Sequence, residues 1–229
     1  MVARLWYGQI VALCVFDLDH TLIQTPLDLA AMAADMRALI EAATGPLPYK
    51  RERYRVGELI AYCRTQAPTL EAAAWDLALE HERRAMRVAT LEAGALEALA
   101  GARRAGFATA LWTNNARMLT LPALERLGLA RELELVVTRD DMRALKPDPD
   151  GWRVIASHFK SLLAAADSPA VVVGDSWVDG VAAAKAGVPF VAYRARQADL
   201  DRWRVTPVAH LTDLALLPGW LAAHTPKRR

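Results

Sequence analysis

Apolar residues recur in two rhythms along this chain. Mainly apolar runs of about strand length, rich in Val and other apolar residues, occur at Ile10–Phe16, Phe107–Thr113, Leu133–Thr138, Ala170–Val173 and Val188–Tyr193. Their length and composition predict buried β-strands. Helix-period segments lie between them at Ala95–Arg104, Ala116–Leu127, Trp152–Ala164 and Val178–Ala186. Strands alternating with helices predict an α/β domain, a parallel sheet with helices on both faces. The alternation is interrupted once. From about Gln24 to Ala93 no strand-like pattern appears, and the segment reads as all helix. Thr25 as a cap and Pro26 at the first helical position open the first helix, with Leu27, Ala31, Ala34 and Ala38 at helical spacing. Gly45-Pro46-Leu47-Pro48 ends it; a second helix covers Val56–Gln66, Ala67-Pro68 breaks it, and a third runs from Leu70 to Ala89. The expected domains are therefore 1–23 with 94–229 for the α/β core and 24–93 for the helical insertion. Beyond Asp199 the pattern is weak, with a short final helix near Leu211–Ala223 and a basic tail, Lys227-Arg228-Arg229.

The strand ends carry the chemistry. The first apolar run leads into Asp17-Leu18-Asp19-His20-Thr21. A spacing of two puts both carboxylates on one side while extended geometry persists, and ligands of open α/β sheets bind at the carboxyl ends of the strands. An acid pair there needs a cation, a proton or hydrogen-bond donors to offset its repulsion. It reads as a metal-assisted nucleophile beside a general acid/base, or as an acidic turn after a strand. Three further strand ends deliver polar groups: Thr113-Asn114-Asn115, then Lys146-Pro147-Asp148-Pro149, then Gly174-Asp175-Ser176-Trp177-Val178-Asp179. Thr113 and the backbone amides at Asn114 and Asn115 suit an anion near a helix start. Lys146 adds positive charge on a loop stiffened by its prolines.

Composition narrows the picture further. The chain has 229 residues, enough for one sizeable core and a smaller accessory domain. A formal net charge of +2 calls for neither nucleic-acid nor membrane binding. Cys14 and Cys63 are isolated from one another, which argues against a disulfide framework and a zinc site, and the five histidines lack ligand-type spacing. Arg4 and the apolar stretch after it mimic a signal peptide, but no small-residue cleavage site follows. No run approaches the length of a membrane span. The expected location is the cytoplasm.

The order of the four motifs resembles that of the haloacid dehalogenase-like (HAD) superfamily, in its phosphoglycolate phosphatase-like branch with a helical cap, over roughly residues 10 to 195. The resemblance implies a Rossmann-like parallel sheet core, with the first strand central, plus an inserted all-helical cap domain. It implies a Mg²⁺-dependent phosphatase that hydrolyses a small-molecule phosphate monoester through an aspartyl-phosphate. Asp17 would be the nucleophile. Asp19 would protonate the leaving alkoxide and then deprotonate water. Thr113, Asn114 and Lys146 would hold the phosphate. The side chains of Asp17 and Asp175 and the backbone carbonyl of Asp19 would bind Mg²⁺. Asp179 would bind through water or orient a ligand, a role compatible with that of an acid at a helix N-terminus.

Asp19 argues against dehalogenation, which uses no acid/base aspartate there. A phosphomutase on the same scaffold remains an alternative. So does a non-catalytic binding protein, against which the six intact polar residues speak. Lys50 is the only cap lysine, a weak basis for phosphonatase chemistry. The charged stretch Tyr49–Arg55 reads as a solvated loop between helices, with steering of anionic substrates as the alternative. Arg83, Arg84 and Arg87 read as an outer helix face. His20 stands where the family often has glycine and is expected to need no positive φ; Trp177 is expected to pack. Substrate identity and oligomeric state are not legible.

Overall fold

A computed structural model defines the chain over residues 12–164 and 169–224. Ile10, Val11 and the basic tail of the sequence reading lie outside those residues. In chain order the elements are β1 (Ala12–Phe16), β2 (Ile23–Gln24), α1 (Leu29–Thr44), α2 (Val56–Gln66), α3 (Glu71–Arg87), β3 (Thr90–Leu91), α4 (Ala95–Arg104), β4 (Phe107–Trp112) and α5 (Arg117–Arg126). There follow β5 (Leu135–Val137), α6 (Asp150–His158), α7 (Lys160–Leu163), β6 (Ala170–Gly174), α8 (Trp177–Ala186), β7 (Phe190–Tyr193), α9 (Gln197–Arg202), β8 (Ala209–Leu211) and α10 (Leu217–His224).

Six strands form one parallel sheet in the order β5-β4-β1-β6-β7-β8. The most apolar run, β1, lies inside it and is buried along its whole length. Its neighbours register as Ala12↔Phe107 through Phe16↔Leu111 on one side and Leu13↔Ala170 through Phe16↔Val173 on the other. Strand alternation separates two faces. Leu13 and Val15, with Ala108, Ala110 and Trp112 of β4, pack on Ile155 of α6 and Ala182 and Ala183 of α8. Helix α4 packs against β4 and α10, and its Ala98, Leu99 and Ala102 are buried.

The chain divides into two compact units, Thr25–Ala89 and the sequence on either side of it, up to Gln24 and from Thr90. Within the first, α1, α2 and α3 enclose a core that includes Met32, Met36, Ile40, Leu59, Cys63 and Ala78. The start of α1 differs from the sequence expectation. Its cap is Asp28, whose carboxylate accepts from the amides of Ala30 and Ala31 at 2.9 Å each, not Thr25. The buried stripe is Met32, Ala33, Met36 and Ile40, while Ala31, Ala34 and Ala38 are exposed. The period was legible, but larger apolar side chains take the inner face because they remove more area from water.

Four further elements were not expected. β2 pairs antiparallel with β3 at the two ends of the helical unit, and each strand is too short to show a pattern. The edge strand β8 and the short helix α9 lie in the weakly patterned C-terminal region. The helix expected over Trp152–Ala164 starts earlier, at Asp150, and breaks at Phe159 into α6 and α7. Among the described residues, no helix is long and apolar enough to cross a membrane.

Candidate active site

Four adjacent parallel strands end on one edge of the sheet, and each end supplies a polar group. Asp17 follows β1, Thr113 follows β4, the loop of Lys146 follows β5, and Asp175 follows β6. Lys146 gathers them. Its buried ammonium donates to Asp17 Oδ1 and Asp179 Oδ1, both at 2.6 Å, and to the Trp112 carbonyl at 2.8 Å. Burial opposes its charge, but the Asp17 and Asp179 carboxylates outweigh that and hold its pKa above the ordinary lysine value. The lysine expected to meet an anion is therefore a fixed cation between two acids.

Asp179 sits in the first turn of α8. Its Oδ2 accepts from the Ser176 hydroxyl at 2.6 Å and the Ser176 amide at 3.2 Å, closing a capping box at the helix start. The other oxygen is left for Lys146, so helix capping and a place in the charge cluster coexist. Gly174 makes this possible. A Cβ there would lie 2.6 Å from Asp179 Cγ and 2.7 Å from Asp179 Cβ, so only glycine lets the carboxylate come this close to the strand end.

Carboxylate oxygens of Asp17, Asp175 and Asp179 all lie within 4.8 Å of one another. Burial, then the neighbouring acid Asp179, pushes Asp17 up to about 7 despite Lys146. Burial, then Asp17 and Asp179, pushes Asp175 up to about 9. One lysine does not neutralise this cluster. The surplus of negative charge on hard oxygen donors fits a small divalent cation such as Mg²⁺.

Asp19 lies two residues beyond Asp17 and accepts a hydrogen bond from the side-chain amide of Asn115 at 2.5 Å. The turn that carries it is closed by the His20 amide donating to the Ile23 carbonyl at 2.7 Å. His20 has φ of +57°, contrary to the sequence expectation. The position has the backbone that favours glycine, and histidine occupies it with its ring paired to Gln24 at 3.2 Å. Gln24 in turn donates to Glu92, a buried carboxylate that also accepts from the Tyr193 hydroxyl at 2.7 Å and Arg194 at 2.9 Å.

The Thr113 side chain is buried and accepts from the Asn115 amide at 3.2 Å. The Asn114 side chain grips the main chain of Lys146 from both sides: its amide donates to the Lys146 carbonyl at 3.0 Å, and its Oδ1 accepts from the Lys146 amide at 2.9 Å. An anion-binding role for Asn114 therefore rests on its backbone N–H. Trp177 is half-buried and stacks on Trp203, with ring centroids 4.0 Å apart. In the helical unit Lys50 is paired with Glu58 at 2.6 Å, and Arg83 and Arg84 with Glu80 at 2.6 and 2.9 Å.

Sequence reasoning missed the Asn115 side-chain amide, the Gly174 cradle and the Glu92 network. The first two sat beside motif residues already singled out. Glu92 had no local signal, because its partners are distant in sequence.

Known proteins resemble this chain in sequence and in fold. The profile of the haloacid dehalogenase-like hydrolases matches residues 11–187. The chain is 38% identical to the plasmid phosphoglycolate phosphatase of Cupriavidus necator over 108 residues, which span 47% of this chain and less than half, 45%, of that relative. It is 27% identical to the phosphoglycolate phosphatase of Agrobacterium fabrum across 90% of each chain. In fold it is similar to the crystal structure of a hydrolase from Pseudomonas syringae, with a TM-score of 0.68, 20% identity, and coverage of 94% of this chain and 100% of that one.

Proposed function

The chain belongs to the haloacid dehalogenase-like hydrolase family, and from that premise we propose that it is a Mg²⁺-dependent phosphatase acting on a small phosphate monoester, with phosphoglycolate the first substrate to test. The observation that carries the reading is Lys146 held between Asp17 and Asp179 at the end of the central strands. A structural ion pair needs no second and third carboxylate beside it. A site that takes a phosphoryl group needs both the nucleophile and the means to balance its charge.

In this reading Lys146 orients Asp17 through Oδ1, and Oδ2 attacks phosphorus in line with the leaving oxygen. The ester P–O bond breaks as the P–O bond to Asp17 forms, and Asp19 gives its proton to the departing alkoxide. Water then attacks the aspartyl-phosphate. Asp19 takes a proton from it, inorganic phosphate leaves, and the Asp17 carboxylate is restored. Thr113 and the Asn114 amide that follows it hold the phosphoryl oxygens at the start of α5. Mg²⁺ would be held by Asp17, Asp175 and the Asp19 carbonyl, with Asp179 beside them, and would offset the negative charge shared by the carboxylates and the phosphate. The division of labour is a catalytic α/β unit, up to Gln24 and from Thr90, and a cap of residues 25–89.

Phosphate release from a panel of small phosphomonoesters, with and without Mg²⁺, tests the proposal in wild type and Asp17→Asn. Mg²⁺-dependent release lost on substitution supports it. No release from any ester by folded, metal-loaded protein counts against it and favours a mutase or a non-catalytic role.

A further inference from the structure

The tripeptide Thr113-Asn114-Asn115 reaches two other parts of the site with two different side chains. Asn114 holds both main-chain groups of Lys146, at 2.9 and 3.0 Å. Asn115, buried, aims its side-chain amide at Asp19. Asn115 is itself fixed along its main chain: its amide donates to Thr113 Oγ1, and its carbonyl accepts from the Arg139 amide at 3.1 Å. The need for such holding follows from what is held. Lys146 has a long flexible stem on a loop outside regular structure, between the Arg139–Asp141 turn and α6. Asp19 leaves the sheet on a turn whose next residue, His20, has positive φ. Neither group is placed by a strand or a helix of its own, and β4 supplies the rigid base for both.

We propose that Asn114 and Asn115 are positioning residues with separate clients, Asn114 setting Lys146 against Asp17 and Asn115 setting Asp19 against the leaving oxygen. The inference rests on the phosphatase reading for what Asp19 does, whereas the hold on Lys146 stands apart from it. Acid catalysis matters for an alkoxide leaving group and hardly at all for p-nitrophenolate. The two asparagines should therefore fail differently.

The test uses the full chain as wild type, Asn114→Ser, Asn115→Ser, Lys146→Ala and Asn114→Ser/Lys146→Ala, with phosphoglycolate and p-nitrophenyl phosphate as probes. Asn115→Ser is expected to lower kcat/KM on the alkyl ester by about tenfold or more while leaving the aryl ester within about threefold. Asn114→Ser is expected to lower kcat/KM on both esters about equally, by about tenfold, and to add nothing to Lys146→Ala. Acylation of Lys146 by acetic anhydride, read by mass spectrometry, should be about tenfold faster in Asn114→Ser and unchanged in Asn115→Ser. Equal losses on both esters for Asn115→Ser, or none, overturn its half. Additivity of Asn114→Ser with Lys146→Ala, or unchanged acylation, overturns the other. If wild type hydrolyses neither these two esters nor any other of the panel, the phosphatase reading and the Asn115 half fall together, and the acylation result still decides Asn114. Should a serine variant not fold, Asn114→Asp removes the donor but keeps the acceptor, and Asn115→Gln shifts the amide by one methylene, with the same outcomes expected.

Discussion

Replacing Gly174 by alanine adds one methyl group where the strand end meets Asp179. That carbon would lie 2.6 Å from Asp179 Cγ and 2.7 Å from both Asp179 Cβ and Oδ2, well inside van der Waals contact. The strand has little freedom to retreat, because β6 is paired with β1 on one side and with β7 on the other, where Gly174 faces Ala192. The acid cannot simply rotate away either, since its own Cβ is among the clashing atoms and belongs to α8. Overpacking of this kind costs about 1–3 kcal/mol. Pulling Asp179 off Lys146 or Ser176 costs about 1.5–3 kcal/mol for each charge-assisted bond lost. The stiffer unfolded chain returns about 0.4–1 kcal/mol. With one such bond lost, a net destabilisation of about 1.5–5.5 kcal/mol is expected, together with weaker Mg²⁺ binding. Urea unfolding measures the first and calorimetric titration of the metal the second. Gly57→Ala is the control: it lies within α2 with nothing near the added methyl, so it should hold or raise stability, by up to about 1 kcal/mol. A Gly174→Ala protein as stable as wild type to within about 0.5 kcal/mol, with unchanged metal affinity, would refute the cradle.

The raised pKa values of Asp17 and Asp175 mean that the metal-free folded protein holds those protons more tightly than the unfolded chain. That stabilisation is complete below the ordinary value of 3.8 and is lost as pH rises through about 7 for Asp17 and about 9 for Asp175. The melting temperature in chelator should fall between about pH 5 and about pH 9, and saturating Mg²⁺ should flatten the fall; a flat profile in chelator would count against this charge balance. Lys146→Met leaves Asp17 and Asp179 without their shared cation. It should destabilise the metal-free protein by about 3–5 kcal/mol, more at high pH than at low, as read by urea unfolding. At His20, with φ of +57°, the usual order of side chains should invert: thermal melts should find His20→Gly more stable than His20→Ala by about 1 kcal/mol, and equal stability would show the turn to be relaxed.

The strands were legible because burial on both faces makes β1, β4 and β6 continuous apolar runs, and most helices because one buried face imposes a helical period. Elements too short to display a period, β2, β3 and β8, were not legible. The inner stripe of α1 differed from the expected one because periodicity names a spacing, whereas the volumes available inside the helical unit select Met32, Met36 and Ile40 for it. At the site, Asp17, Asp19, Thr113, Lys146 and Asp175 stood out because each follows an apolar run, and a parallel sheet brings such ends to one edge. The contacts between them did not stand out. That Lys146 bridges Asp17 and Asp179, that Asn114 grips Lys146, and that Asn115 reaches Asp19 depends on strand order, on loop conformation and on the bare Cα of Gly174. Local sequence by itself determined which groups arrive at the edge of the sheet, because hydrophobic spacing sets where each strand ends. Only the tertiary structure decided which of them touch, because hydrogen bonds between residues far apart in the chain are set by packing, and packing has no period to read.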